Sequence, residues 1–225
     1  MDIRTELAWI AGRLGSIGYR GVVGSDVRIA GVSIDSRTDC SGRIFVALEG
    51  QNHDGNDYVV QAIENGAAAA IVRSGTESGL LAAAGQVPLL GVQDTLKALQ
   101  HIASSWLEKT GPKVVGITGS TGKTGTKELT ASILGIKYRV HATEGNLNNE
   151  IGLPLTLLSM PEHTEVLVAE MGASHKKDIK LLASIARPEI GIITNIGPGH
   201  LEHFGSIRDV AAAKSELVEA LGEGM

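Results

Sequence analysis

The stretch that most constrains this chain covers residues 113–135 and reads KVVGITGSTGKTGTKELTASILG. It opens with Lys113-Val114-Val115-Gly116-Ile117-Thr118, a short apolar, β-branched run of the kind that forms a strand buried on both faces. The loop Gly119-Ser120-Thr121-Gly122-Lys123-Thr124 follows. A helical pattern comes next, with Leu129, Ile133 and Leu134 on one face and Gly135 as its cap. Strand, glycine loop and helix, in that order, are the context of a phosphate-binding loop. The glycines let backbone N–H groups approach a polyphosphate, and the helix N-terminus adds its positive end. Lys123 offers a point charge to β- and γ-phosphates, and the Thr124 hydroxyl offers a ligand to Mg²⁺. The strict spacing asks for a glycine at position 117; this chain has Ile117 there and Gly116 one place earlier. A strand-to-helix turn without a ligand is the plain alternative, and the Lys-Thr pair after Gly122 argues against it.

Composition narrows the ligand. A net charge of −5 and 3% aromatic residues provide neither the basic face nor the stacking rings that nucleic-acid binding needs. An anionic ligand must therefore be held by a local site. Cys40 is the only cysteine, so an internal disulfide is impossible and a reducing compartment suits the chain. The first residues, MDIRTELAWIAGRLG, mix charges among Ile3, Leu7, Ile10 and Leu14 at helical spacing, an amphipathic helix and not a signal peptide. No apolar run reaches membrane-spanning length. A cytoplasmic protein with no nucleic-acid partner and no membrane insertion is expected.

Along the chain, 27–34 and 43–48 read as strands separated by the polar turn Asp35-Ser36-Arg37-Thr38. Residues 57–65 read as a helix, 69–72 and 89–92 as strands, and 94–107 as a helix capped by Asp94. Lys109-Thr110-Gly111-Pro112 is the clearest linker, which places a domain boundary between 1–110 and 111–225. The second part alternates strands (113–118, 138–142, 165–169, 191–196) with helices (149–158, 176–186, 206–221). That alternation predicts an α/β fold whose parallel sheet is flanked by helices, with ligands beyond the carboxyl ends of the strands.

Several polar residues sit at those ends. Glu170 closes a buried strand, as a metal-holding carboxylate or as a capping or salt-bridged acid. His200 follows Gly197-Pro198-Gly199, in a functional or a merely structural role. Lys214, in an alanine-rich helix, reads by spacing as a surface lysine. Asn146, Asn148 and Asn149 offer one helix cap, or several amides to a polar ligand. Ser33, Asp35, Ser36 and Arg37 form a turn, which could accept a nucleotide or sugar.

With these residues together, the chain resembles the Mur ligases of bacterial cell-wall synthesis over nearly its whole length. Ser33-Ile34-Asp35-Ser36-Arg37, FVALEG at 45–50 and His53-Asp54-Gly55 look like that family's uridine-nucleotide domain. Thr118-Gly119-Ser120-Thr121-Gly122-Lys123-Thr124 is similar to its own variant of the phosphate loop, which accounts for Ile117. Gly145-Asn146-Leu147-Asn148-Asn149-Glu150, Leu153-Pro154-Leu155-Thr156, His200-Leu201-Glu202-His203 and Lys214-Ser215-Glu216 most resemble the member that joins D-alanyl-D-alanine to UDP-N-acetylmuramoyl-tripeptide.

The resemblance implies a small N-terminal uridine-nucleotide-binding α/β domain over 1–110, followed by an ATP-binding P-loop sheet over 111–225. It implies ATP and Mg²⁺, a tripeptide carboxylate activated as an acyl phosphate, and a monomeric enzyme of the bacterial cytoplasm. Gly119, Ser120, Thr121, Gly122, Lys123 and Thr124 would bind ATP. Thr124, Glu170, His200 and a carbamylated Lys214 would hold metal, with Lys123, His200 and Lys214 serving catalysis. Ser33, Asp35, Ser36, Arg37, Asn146, Asn148 and Asn149 would bind substrate.

Family members are about twice this length, so the chain resembles an N-terminal portion, with the central domain truncated and the C-terminal domain absent, and is expected to be inactive alone. The competing readings are the ligase that adds a diamino acid to the dipeptide precursor and a non-catalytic nucleotide-binding module. Folate polyglutamylating ligases lack the uridine domain, and a generic P-loop kinase or GTPase finds no base-reading motif here.

Overall fold

The structure, a computed structural model, describes residues 5–15, 27–50, 52–198 and 201–222. The chain divides into two compact units, one ending at Ser105 and the other starting at Trp106.

In the first unit, β1 (Thr5–Glu6) pairs antiparallel with β2 (Arg28–Ile29), and α1 (Leu7–Gly15) buries Leu7, Ile10 and Leu14 as its spacing predicts. Ile3 of that pattern lies outside the described residues. The strand expected over 27–34 is broken at Ala30, and its second piece, β3 (Gly31–Ser33), joins a different sheet. With β4 (Arg43–Val46), β5 (Ala69–Arg73) and β6 (Leu89–Val92) it forms a parallel sheet in the order β3-β4-β5-β6. The predicted 57–65 helix is a 3-10 turn, Gly55–Tyr58, running into α2 (Val59–Glu64). A further helix, α3 (Glu77–Ala84), escaped the sequence pattern, and α4 (Thr95–Thr110) runs through the predicted linker as far as Thr110.

The motif residues around 45–55 build a clasp. Arg73 pairs with Glu49 and Asp54, and Asp54 accepts the Asn56 N–H at 2.9 Å. A Cβ on Gly55 would stand 2.5 Å from the Leu48 carbonyl oxygen, so only glycine fits against that strand end.

The second unit contains β7 (Lys113–Thr118), α5 (Lys123–Gly135), β8 (Val140–Ala142), α6 (Gly152–Ser159), β9 (Val166–Glu170), α7 (Asp178–Ala186), β10 (Ile190–Ile193), α8 (Leu201–Phe204) and α9 (Ile207–Gly222). Its sheet is wholly parallel in the order β10-β7-β9-β8. From β7 the connections run first to the β8 side and then back to β10, so the order reverses beside β7. That is where an open α/β sheet leaves a crevice at its carboxyl edge.

Helix α5 corrects one sequence expectation. Leu129 and Ile133 are 67% and 66% exposed, and the face turned to the sheet is Lys127, Ala131 and Leu134. Both sets repeat at helical spacing, so periodicity alone does not choose between them. The charged residue takes the inner stripe because its ammonium finds a backbone carbonyl there.

Candidate active site

The glycine loop between β7 and α5 is shaped by positions that require glycine. Gly119 has φ 147°, and a Cβ on it would stand 2.0 Å from Thr194 Oγ1. Gly122, at φ 81°, is the residue before α5 and offers no side-chain cap. The N–H groups of the first turn, Lys123 to Gly125, therefore keep the unmatched donors that a helix N-terminus presents to an anion. Lys123 Nζ rests on the Gly119 carbonyl at 3.0 Å.

The loop is stapled to the segment after β10. Thr194 Oγ1 donates to the Thr121 carbonyl (2.6 Å), Asn195 Oδ1 accepts the Thr121 N–H (3.0 Å), and Ser120 Oγ donates to the Gly197 carbonyl (3.0 Å). Sequence reasoning missed Thr194 and Asn195 as loop braces. Their one signal is a place at the end of the strand adjacent to the loop strand.

A cavity of about 670 Å³ opens beside the loop. Gly119, Ser120, Lys123, Asn148, Asn149 and Lys214 line it, together with His175, Asp178 and Phe204. The structure thus brings the phosphate loop, two of the predicted asparagines and Lys214 to one place. Asn146 is exposed and lies outside the cavity lining. Asn149 Oδ1 accepts the Gly152 N–H at 2.8 Å and caps the start of α6.

Glu170 is 2% exposed. Its N–H donates to Thr143 Oγ1 (3.0 Å), and its Oε1 accepts from Asn148 Nδ2 (2.8 Å). Its Oε2 is buried with no hydrogen-bond partner. A buried carboxylate oxygen left unpaired is costly, and a hard cation is the partner it suits. With the Thr124 hydroxyl it would offer oxygen donors of the kind that Mg²⁺ takes. Among the described residues no group of at least three His, Cys, Asp or Glu side chains is placed to hold a metal. His200 lies outside the described residues. His203 is exposed, and its ring lies 4.9 Å from the His175 ring at a tilt of 46°.

Lys214 is buried, not the surface lysine that its spacing suggested. Burial and the neighbouring Lys123 charge push its ammonium down to about 8, against opposing pulls from Asp178 and Glu216. Glu216, one of the residues that sequence reasoning left unassigned, holds helix α9 to the start of α7: its carboxylate accepts the Lys177 N–H (2.7 Å) and the Lys180 N–H (2.9 Å). Lys177 is in a left-handed conformation, φ 73°, so the chain enters α7 by a tight turn that this carboxylate caps from outside.

In the first unit, Ser33 Oγ donates to the Asp35 carbonyl (3.1 Å) and Ser36 Oγ to Gln61 (2.7 Å), both inside the unit. Arg37 donates to both Asp35 oxygens, at 2.8 and 2.7 Å, and holds that carboxyl at about 2. The turn therefore presents Asp35 and Arg37 outward.

The family profile described as "Mur ligase family, catalytic domain" matches residues 28–106, and the one described as "Mur ligase middle domain" matches residues 117–225. The UDP-N-acetylmuramoyl-tripeptide–D-alanyl-D-alanine ligase of Bacillus subtilis is 44% identical over 199 residues, which cover 87% of this chain and 42% of that protein. Among solved structures, MurF from Acinetobacter baumannii aligns with a TM-score of 0.88 and 31% identity, covering 98% of this chain and 47% of that one. MurF ligase from Thermotoga maritima, in complex with ADP, aligns with a TM-score of 0.75 and 35% identity, covering 84% and 43%. The chain spans less than half the length of each of these relatives. With a Mur ligase profile on each of its two units, it belongs to the Mur ligase family.

Proposed function

We propose that this chain carries the uridine-nucleotide unit and the ATP-phosphate site of the ligase that adds D-alanyl-D-alanine to UDP-N-acetylmuramoyl-tripeptide. The observation that carries this reading is the convergence of the glycine loop before the uncapped α5 N-terminus, Lys123, Lys214 and Asn148, the residue that holds Glu170, around one cavity. In the reaction, a carboxylate oxygen of the tripeptide attacks the γ-phosphorus of ATP and ADP leaves. The amine of D-alanyl-D-alanine then attacks the acyl carbon, loses a proton and expels phosphate, leaving an amide.

The protein's part is placement and charge neutralisation. The α5 N–H groups and Lys123 hold the β/γ-phosphates. Asn195 and Thr194 keep the loop in its receptive shape. Thr124 and Glu170 would hold Mg²⁺, with His200 and Lys214 completing the metal-binding group. The metal, when bound, supplies neutralisation of the phosphoryl oxygens. Lys214, titrating near 8, retains a neutral amine fraction at cytoplasmic pH, the form that reacts with carbon dioxide to give a carbamate. In the first unit Asp35 and Arg37 receive the uridine nucleotide, with Ser33 and Ser36 shaping the turn; Asn148 and Asn149 form the substrate side of the cavity, and the exposed Asn146 meets the substrate outside its lining. The protein acts as a monomer in the bacterial cytoplasm; among the described residues no helix is long and apolar enough to cross a membrane.

Calorimetric titration with ADP tests the phosphate site. Removing a charge-assisted bond to phosphate costs about 1.5–3 kcal/mol, so Lys123→Met should lower affinity roughly 10- to 100-fold. A folded wild-type chain that ignores ADP contradicts the reading.

A further inference from the structure

We propose that Lys127 is a positioning residue for the divalent cation that accompanies the nucleotide, because it locks the phosphate-loop helix to the strand-end residue that holds Glu170. The proposal rests on the ATP-site reading above and extends it to a residue outside the cavity lining.

Lys127 stands one turn beyond Lys123 on the inner stripe of α5 and is 1% exposed. Ala131 and Leu134 follow it on that stripe against an apolar sheet. A methionine or leucine would fill the space without stripping an ammonium of its water, and a buried ion pair is weak evidence for stabilisation in itself. The side chain is held by two acceptors: the Thr143 carbonyl at 2.6 Å and Glu128 Oε1 at 2.8 Å. The Glu128 carboxylate is 65% exposed, so the buried bond to Thr143 is the one that fixes the ammonium's place.

Thr143 follows β8 and connects in three directions. Its N–H continues the sheet to the Val168 carbonyl (3.1 Å), its carbonyl receives Lys127, and its Oγ1 receives the Glu170 N–H (3.0 Å). The loop that leaves Thr143 leads to Asn148, which donates to Glu170 Oε1 (2.8 Å) and accepts the Gly172 N–H on its carbonyl (2.8 Å). Glu170 is thus fixed at its backbone and at one carboxylate oxygen by a loop whose root Lys127 clamps. The other oxygen, Oε2, is buried and unpaired. Thr124 rides on the same helix as Lys127, one turn earlier. The clamp therefore sets the separation between the Thr124 hydroxyl and Glu170 Oε2, two of the groups of this chain that a cation would join.

Groups that orient metal ligands typically cost 10- to 100-fold in metal affinity when removed. The test is ADP affinity measured in excess Mg²⁺ and in EDTA, for wild type, Lys127→Met and Thr143→Val, with thermal unfolding as a control of folding. Thr143→Val keeps the side-chain shape and the carbonyl but removes the hydroxyl that receives Glu170. The expected result is EDTA affinity within about twofold of wild type in both variants, with the gain on adding Mg²⁺ reduced roughly tenfold. A general loosening of the fold would lower both affinities together. If Lys127→Met does not fold, Thr143→Val decides.

A wild-type chain that binds no ADP overturns the ATP-site reading. One that binds ADP without a gain from Mg²⁺ overturns the cation site and this proposal with it. A full Mg²⁺ gain in a folded variant overturns the positioning role alone.

Discussion

Replacing Lys214 with methionine should stabilise the chain near neutral pH, and the gain should fade as the pH rises. Lys214 is 3% exposed and titrates at about 8 in the fold, against 10.5 ordinarily. The unfolded chain therefore binds that proton more tightly than the folded one. Below about pH 8 the ammonium is charged in both states, and the fold carries the full cost of burying it. Between about 8 and 10.5 the folded amine is neutral while the unfolded one is still charged, so wild-type stability climbs with pH. The displacement corresponds to a cost on the order of 3 kcal/mol. Lys214→Met removes that cost, so its advantage should be largest at pH 7 and should shrink by a similar amount by pH 10. Urea unfolding of both proteins across that range, in bicarbonate-free buffer so that no carbamate forms, measures the difference. A stability difference that is flat in pH would refute the burial argument, whatever its absolute size.

Gly119→Ala should destabilise the second unit by about 2–4 kcal/mol, from a backbone conformation reserved for glycine and the loss of the Thr194–Thr121 bond. It should also abolish ADP binding; urea unfolding and calorimetry check both, and unchanged values would show that the loop has another shape. Glu216→Ala removes the acceptor of the Lys177 and Lys180 N–H groups at the start of α7 and should cost about 1–2 kcal/mol. It also takes away a charge that raises the Lys214 titration, so the amine should titrate below its wild-type value; an NMR titration of Lys214 that does not move down would contradict the placement of Glu216. Asp35 is held at about 2 by Arg37, so its contribution to stability is present above pH 3.8 and is lost as the pH falls toward 2. Carboxyl-carbon NMR should find a midpoint near 2 that rises toward 3.8 in Arg37→Ala; an unmoved midpoint would remove Arg37 as the cause.

What the sequence made legible was local. The β7–loop–α5 unit follows from an apolar run, glycines and a Lys-Thr pair within a short window, and Glu170 is identifiable as the end of a buried strand. What it hid depends on distant partners. Lys214 looks like a surface residue until α7 and α9 pack around it, a contact that Glu216 makes through backbone groups with no side-chain signature. The α5 sets Lys127, Ala131, Leu134 and Leu129, Ile133, Leu134 share Leu134 and both repeat at helical spacing, and the one that turns inward carries the Lys127 bond to the distant Thr143 carbonyl. Thr194 and Asn195 brace the glycine loop from a strand far along the chain. Helix α3, ESGLLAAA, has too little polar contrast to betray a face. In the first unit the turn at 33–37 was found, but its division of labour was not. Ser33 and Ser36 are spent inside, and Asp35 and Arg37 are left to the outside.

The most direct test of the proposed substrate is calorimetric titration of this chain with UDP-N-acetylmuramoyl-tripeptide, beside the dipeptide form and UDP alone. The expected result is binding of all three, with the tripeptide tightest. A chain that is demonstrably folded yet binds none of them would contradict the uridine-nucleotide unit, and with it the assignment to cell-wall precursor ligation.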